Sequence, residues 1–154
     1  MAEITRTSQA TWFGDLRSGK GQIISESGEI KNQQYSYATR FEETRGTNPE
    51  ELIAAAHAGC YAMAFSGHLA KKGYRPESIE VRAVCFLESI PSGGHQITRM
   101  SLDILGKVPD IDEETFTQLA HEADKNCPVS NLLRSGLEIQ IEPALVNTME
   151  SQQK

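Results

Sequence analysis

Hydrophobic and polar positions change period several times along the chain, and each change marks an element. Two short runs, Ala10 to Phe13 and Gln22 to Ser25, flank a turn built on Gly19, Lys20 and Gly21 and read as strands. A third run, Gln34 to Phe41, sets Tyr35, Tyr37 and Thr39 in alternation with their neighbours and predicts the third strand of an antiparallel meander. At Thr47-Asn48-Pro49-Glu50-Glu51 the pattern becomes that of a helix start. Asn48 suits the N-cap, Pro49 the first helical position and Glu51 the third position of a capping box; a cap at Thr47 with Glu50 in the box is the competing register. This helix is predicted to reach Lys71-Lys72, with Gly73 as terminator and basic residues at its negative end.

After Pro76 the period falls to two. Ile79, Val81, Ala83, Cys85 and Leu87 share one face of a strand, Pro91 to Gly94 form a turn, and Gln96 to Leu105 return as the second strand of a hairpin. Asp112 can cap a further helix in which Phe116, Leu119, Ala120 and Ala123 recur at helical spacing. Cys127-Pro128 opens a short helix through Leu133 that Gly136 ends. Leu137 to Ile141 predicts a last strand, and 143–154 a flexible tail.

Strands, helix, hairpin, helices and strand in that order predict an α+β fold with antiparallel sheets, as one domain over residues 1–154. Between Leu52 and Ala70 there is no formal charge over 19 residues, which raises the question of a membrane span. The stretch is mostly Ala and Gly and includes His57, Ser66 and His68, too weakly apolar to span, so it is expected to be buried in protein. A helix apolar nearly all round must be covered all round. One sheet system covers it poorly, so a second copy is expected to complete the job, giving a homodimer with this helix at its centre.

Composition narrows the function. A net charge of −6, with no basic run, excludes nucleic acid as a general partner. Three cysteines are too few and of the wrong parity for a disulfide scaffold, and Met1 to Arg6 shows no apolar leader. A reducing cytoplasm is therefore expected, where a disulfide would be transient and functional. No C-x-x-C or H-E-x-x-H spacing suggests a metal, and the glycines form no phosphate-binding loop, so no cofactor is predicted.

The cysteines then carry the candidate chemistry. Cys60 lies inside the charge-free helix, within about 60° of Ile53, Ala56, His57, Met63 and Ala64 around its axis. An apolar site disfavours a thiolate, so a reactive Cys60 needs a cation from elsewhere in the fold. Arg40, held by a carboxylate, is the preferred source, because a guanidinium stays charged when buried. Glu50 lies nearer than Glu51 to the Cys60 side of the helix, but ten residues are about 15 Å of helix rise. That distance calls for a bridging arginine, a broken helix or a contribution from another subunit, and the last fits the dimer. Cys127, just before Pro128, lies where a helix N-terminus favours a thiolate. Cys85 follows the core face of its strand and reads as inert; His57 reads as a core or interface histidine, with a Cys60–His57 dyad as the sharper option.

The segment Thr47 to Cys60, with Asn126-Cys127-Pro128-Val129-Ser130, Trp12 to Asp15, Gly19 to Gly21, Ser25 to Gly28 and Thr39 to Glu42, closely resembles the osmotically inducible protein C and organic hydroperoxide resistance family, in its osmotically inducible branch. Gly59 stands where relatives often carry Ala. The resemblance implies an intertwined homodimeric, thiol-dependent peroxidase that acts on organic hydroperoxides in stress defence, without a cofactor. It implies Cys60 as the peroxidatic and Cys127 as the resolving cysteine, Arg40 as activator of the thiolate and Glu50 as its orienting partner. A dithiol, such as a lipoylated protein, is the implied reductant. Ile53, Met63 and Phe65 can wall an apolar substrate pocket. Two other classes compete: a Cys-His acyl transferase or thioesterase using Cys60 and His57, and a noncatalytic binder of apolar molecules.

Overall fold

The computed structural model describes residues 2–136 and Gln140. Its elements are β1 (Ser8–Phe13), β2 (Lys20–Ser25), β3 (Gln33–Tyr35), α1 (Tyr37–Phe41), α2 (Pro49–Lys71), β4 (Ser78–Ser89), β5 (His95–Lys107), α3 (Glu113–Asp124) and α4 (Pro128–Ser135). The first three strands form an antiparallel sheet in the order β1-β2-β3, and β4 and β5 form a long hairpin with a register shift between Phe86 and Leu87. The strand expected over Leu137 to Ile141 and the tail beyond it lie outside the described residues.

The third strand is shorter than its alternation implies. It stops at Tyr35, and Ser36 turns the chain into the five-residue helix α1. Ser36 Oγ accepts from the Thr39 amide at 3.2 Å, while Thr39 Oγ1 accepts from the Ser36 amide at 2.9 Å. This reciprocal box satisfies two donors that a helix start otherwise leaves unpaired, and it overrides the period-two pattern of Tyr35, Tyr37 and Thr39. Arg40 is therefore held on a helix and not at a strand end.

α2 starts where the capping signals place it. Asn48 Oδ1 accepts from the Glu51 amide at 2.8 Å, and Pro49 occupies the first helical position. The Glu51 carboxylate does not close a box with the Asn48 amide but accepts the Thr47 hydroxyl at 3.0 Å. Asn48 also reaches sideways: its Nδ2 donates to the Thr39 carbonyl at 3.1 Å, tying α1 to the head of α2. The far end closes at Lys72, followed by Gly73 with φ +90°, the left-handed conformation that favours glycine.

The core lies between α2, α3 and the hairpin. Tyr61, Phe65 and Leu69 of α2 meet Leu119 and Ala123 of α3 and Cys127, with Ile79, Val81, Leu102 and Ile104 of the hairpin packed against them. Phe65 and Phe116 meet edge to face at 5.2 Å, and Tyr61 donates to the Ala120 carbonyl at 2.6 Å. Gly106 lets α3 approach β5, since a Cβ there would stand 2.4 Å from the Phe116 ring. Asp112 caps α3 by accepting from the Thr115 amide at 2.8 Å, and His68 of α2 pairs with Glu122 of α3 at 2.8 Å.

Only one stripe of α2 is covered by the described residues. Glu50, His57, Tyr61, Phe65 and Leu69 are buried, whereas Ala55, Ala56, Gly59, Met63 and Gly67 are exposed. No helix among the described residues is long and apolar enough to cross a membrane. Because Asn48 both caps α2 and holds α1, Asn48→Ala is expected to cost about 1–2 kcal/mol in urea denaturation, at the upper end for a lost cap.

Candidate active site

Two pairs of the expected site residues come together, at different heights on α2. The first is Arg40 with Glu50. Arg40 Nη2 lies 2.7 Å from Glu50 Oε1, and Arg40 Nε reaches Oε1 at 3.1 Å and Oε2 at 3.2 Å. The Glu50 side chain is only 10% exposed, against 36% for Arg40, so the carboxylate is the buried anchor and the guanidinium extends towards solvent. The ring of Phe41, 4.9 Å beneath the guanidinium, limits its swing further.

The second pair is Cys60 with Cys127. α2 carries Cys60, α4 begins beside it, and Cys60 packs against the buried cluster that includes Cys127, near enough for each sulfur to act on the other's ionisation. Cys127 is the N-cap of α4, completely buried, and its Sγ accepts from the Ser130 amide at 3.5 Å. The helix start thus supplies a donor directly to the sulfur, in addition to its dipole.

The two sulfurs respond oppositely to these surroundings. Burial pushes the Cys60 thiol up; the Val129 amide opposes this, and the neighbouring Cys127 adds to it. Among the described residues no cation is among the groups acting on Cys60. Burial also pushes Cys127 up, but the Ser130 side chain and amide, the Cys60 thiol and the Val129 amide outweigh it and hold Cys127 below its ordinary value. Within one chain, then, Cys127 is the more acidic sulfur and Cys60 serves as its donor. α2 is unbroken between Glu50 and Cys60, which puts the ion pair about 15 Å along the helix from the thiols.

His57 takes a place that spacing alone does not predict. It is buried, and its Nε2 lies 2.8 Å from Ser130 Oγ, while Nδ1 has no hydrogen-bond partner among the described residues. The dyad with Cys60 does not form among the described residues: Nε2 is engaged by Ser130, and neither ring nitrogen bonds the Cys60 sulfur. Ser130 itself is buried, and it was not singled out from the sequence beyond its place in the Asn126 to Ser130 motif. No periodic signal links positions 57 and 130; only the packing of α4 on α2 joins them.

The expected pocket residues separate. Ile53 is half-buried and Met63 is 79% exposed, both free to meet a ligand or a second copy. Phe65 is fully buried between Tyr61 and Phe116, so core packing removes it from the candidate pocket. Cys85 is half-buried on β4, and burial followed by the nearby Glu50 carboxylate pushes its thiol up, in keeping with an inert sulfur. Among the described residues no cluster of His, Cys, Asp and Glu is arranged to hold a metal ion.

Known proteins share this arrangement of elements and motifs. The sequence model of the family described as OsmC-like protein matches residues 42–142, two thirds of the chain, including both Cys60 and Cys127. Peroxiredoxin OsmC of Escherichia coli (strain K12) is 43% identical over 132 residues, covering 86% of this chain and 92% of that protein. The chain belongs to the OsmC family. The organic hydroperoxide resistance protein OhrB of Bacillus subtilis (strain 168) is 28% identical over 128 residues, covering 82% and 91% of the two chains. The crystal structure of the Bacillus subtilis OhrB superposes with a TM-score of 0.61 at 24% identity, over 84% of this chain and 92% of that one. An OsmC-like protein of Vibrio cholerae gives 0.66 at 20% identity, over 85% and 93%. These last two likenesses establish the fold: an α+β OsmC-like architecture of antiparallel sheets and a long central helix.

A buried histidine also sets a pH response for this OsmC-family chain. Burial holds the folded His57 pKa below its unfolded value of about 6.5. As pH falls below about 6.5 the unfolded chain takes up a proton that the folded chain resists, so folding stability drops in that window and levels off below the folded pKa. Equilibrium unfolding between pH 7 and 5 is expected to show this slope in the native sequence and a shallower one in His57→Gln.

Proposed function

We propose that this OsmC-family protein is a thiol-dependent peroxidase that reduces organic hydroperoxides, and hydrogen peroxide more weakly. The observation that carries this reading is the placement of Cys60 against the buried cluster that holds Cys127, two free thiols from distant parts of the sequence brought together at a helix start. The relatives' printed names, peroxiredoxin and organic hydroperoxide resistance protein, support the same chemistry. A thioesterase of the Cys-His type is not favoured, since His57 is bonded to Ser130.

In the proposed cycle the Cys60 thiolate attacks the outer peroxide oxygen. The O–O bond breaks, an alcohol leaves after taking a proton, and Cys60 becomes a sulfenic acid. The Cys127 thiolate then attacks the Cys60 sulfur, forming the disulfide and expelling hydroxide, which leaves as water. An external dithiol, such as a lipoylated protein, reopens the bond by two exchange steps. A disulfide that forms and opens in each turnover fits a reducing compartment, the cytoplasm.

The first step needs a cation at Cys60, and a second copy can supply it. The exposed face of α2, with Ala55, Gly59, Met63 and Gly67, has the small side chains that allow close helix approach. In a homodimer built on that face, the Arg40–Glu50 pair of one protomer would serve Cys60 of its partner. Arg40 would stabilise the thiolate and polarise the peroxide, while Glu50 fixes the fork. Ile53 and Met63 would bury the organic group, each methylene contributing on the order of 0.8 kcal/mol of binding that hydrogen peroxide cannot provide.

Peroxide consumption with a dithiol reductant tests the assignment. Cys60→Ser is expected to abolish turnover, and Arg40→Lys to lower it by about 100-fold, since an ammonium cannot reproduce a planar fork and each tenfold is about 1.4 kcal/mol of barrier. Cys127→Ala is expected to reduce one equivalent per site and then stall or overoxidise. Peptide mapping after one equivalent should find a Cys60–Cys127 link; wild-type turnover in Cys60→Ser, or a link through Cys85, overturns the mechanism.

A further inference from the structure

Outside the thiol pair, the chain has buried one more titratable ring against the same helix start and left one of its nitrogens unpaired. His57 is 5% exposed and Ser130 3%, and their contact of 2.8 Å joins the middle of α2 to the first turn of α4. The unpaired atom decides the direction of the bond. Nδ1 has no partner among the described residues, and a buried N–H without an acceptor is rarer and costlier than a bare lone pair. The ring proton therefore belongs on Nε2, where it has Ser130 Oγ to bond.

That choice frees the Ser130 hydroxyl. A serine has one proton to give. If His57 accepted it, Ser130 could offer Cys127 only its amide. With His57 donating, the hydroxyl proton needs its own acceptor, and Cys127 Sγ is the sulfur already bonded by the same residue's amide at 3.5 Å. We propose that His57 and Ser130 are positioning residues for Cys127: His57 Nε2–H donates to Ser130 Oγ and thereby directs the Ser130 hydroxyl onto the Cys127 sulfur, as a donor that favours its attack in disulfide formation. The inference rests on Cys127 being the resolving thiol. Burial pushes the Cys127 thiol up and the Ser130 side chain pulls it down, the direction such a hydroxyl donor would give.

The charged groups around the network do not displace His57 from this role. Asp124 at the end of α3 favours its protonation, but Asp124 is held by Arg134 of α4 at 2.5 Å, and Arg134 disfavours it. Arg99 of β5 lines the same cavity of about 430 Å³ but stacks on the Phe86 ring at 3.6 Å. Cys127 is faced by Cys60 and by Tyr61, whose hydroxyl is pushed up to about 12 and stays protonated. Neutral His57 is thus the form that donates through Nε2.

The full-length protein with Cys60→Ser and Cys85→Ser keeps Cys127 as its one thiol, and its ultraviolet absorbance titrates the thiolate directly. Adding Ser130→Ala or His57→Leu is expected to raise the Cys127 midpoint by about one unit, a tenfold loss of thiolate on the acid side. His57→Gln, which keeps an N–H near the Nε2 position, should restore most of it. Nitrogen-15 NMR of His57 in the same protein should report the Nε2–H tautomer on both sides of the titration. An unchanged midpoint in Ser130→Ala and His57→Leu, equal effects of Leu and Gln at 57, or an Nδ1–H tautomer overturns the inference. The NMR measurement decides even if His57→Leu fails to fold. If the midpoint depends on His57 and Ser130 but peroxide produces no Cys60–Cys127 link, this network stands and the resolving role falls.

Discussion

Negative charge on a sulfur inside an apolar fold sets the terms for everything arranged around α2. Burial opposes the thiolate at both Cys60 and Cys127, and it is the largest influence on each. The fold answers it for one sulfur and not for the other. Cys127 receives donors from the first turn of α4, because helix starts leave amides unpaired. Cys60, in mid-helix, has its backbone neighbours committed to the helix itself, and among the described residues the Val129 amide of α4 is what opposes the burial of its thiol. Helix middles shield a sulfur and helix starts charge it. The proposed chemistry needs both kinds of site next to each other.

Much of this was legible in the sequence because it depends on short, local signals. Asn48-Pro49 fixes the start of α2, Asp112 the start of α3, and Cys127-Pro128 the start of α4, each through one side-chain acceptor, with a proline's pre-set backbone angle added at α2 and α4. The alternation of Ile79 to Leu87 gave the hairpin for the same reason. The run after Tyr35 misled because two local rules conflicted: alternating aromatics indicate a strand, but Ser36 and Thr39 form a cap box, and the box satisfies more backbone donors. Phe65 misled differently. It lies about 140° around the helix from Cys60, and tertiary packing shows that Phe116 occupies the space in front of it.

The pairing of Arg40 with Glu50 was implied mainly by the family resemblance, with direction around the helix favouring Glu50 over Glu51, whereas His57 with Ser130 had no such precursor. The two positions lie 73 residues apart and are joined by the docking of α4 on α2. Long-range contacts of this kind leave no periodic trace in a single chain. Yet the two pairs have the same construction: in each, a residue of α2 fixes a group carried by a short helix, Glu50 fixing Arg40 of α1 and His57 fixing Ser130 of α4. The central helix is a rail along which two short helices are registered.

One of those short helices is held differently from the other. α4 seats Ser130 in the interior beside the buried cap Cys127, but α1 buries no residue at all. Its moorings are the Asn48 amide on Thr39, the Arg40 fork on Glu50 and the contact of Phe41 with His95 at 4.7 Å. A segment with few buried contacts of its own belongs to the less stable end of a structure's local opening equilibria, with the buried Glu50 carboxylate as its firmest hold. The guanidinium therefore rides on a latch, and the thiols sit in the lock's fixed body.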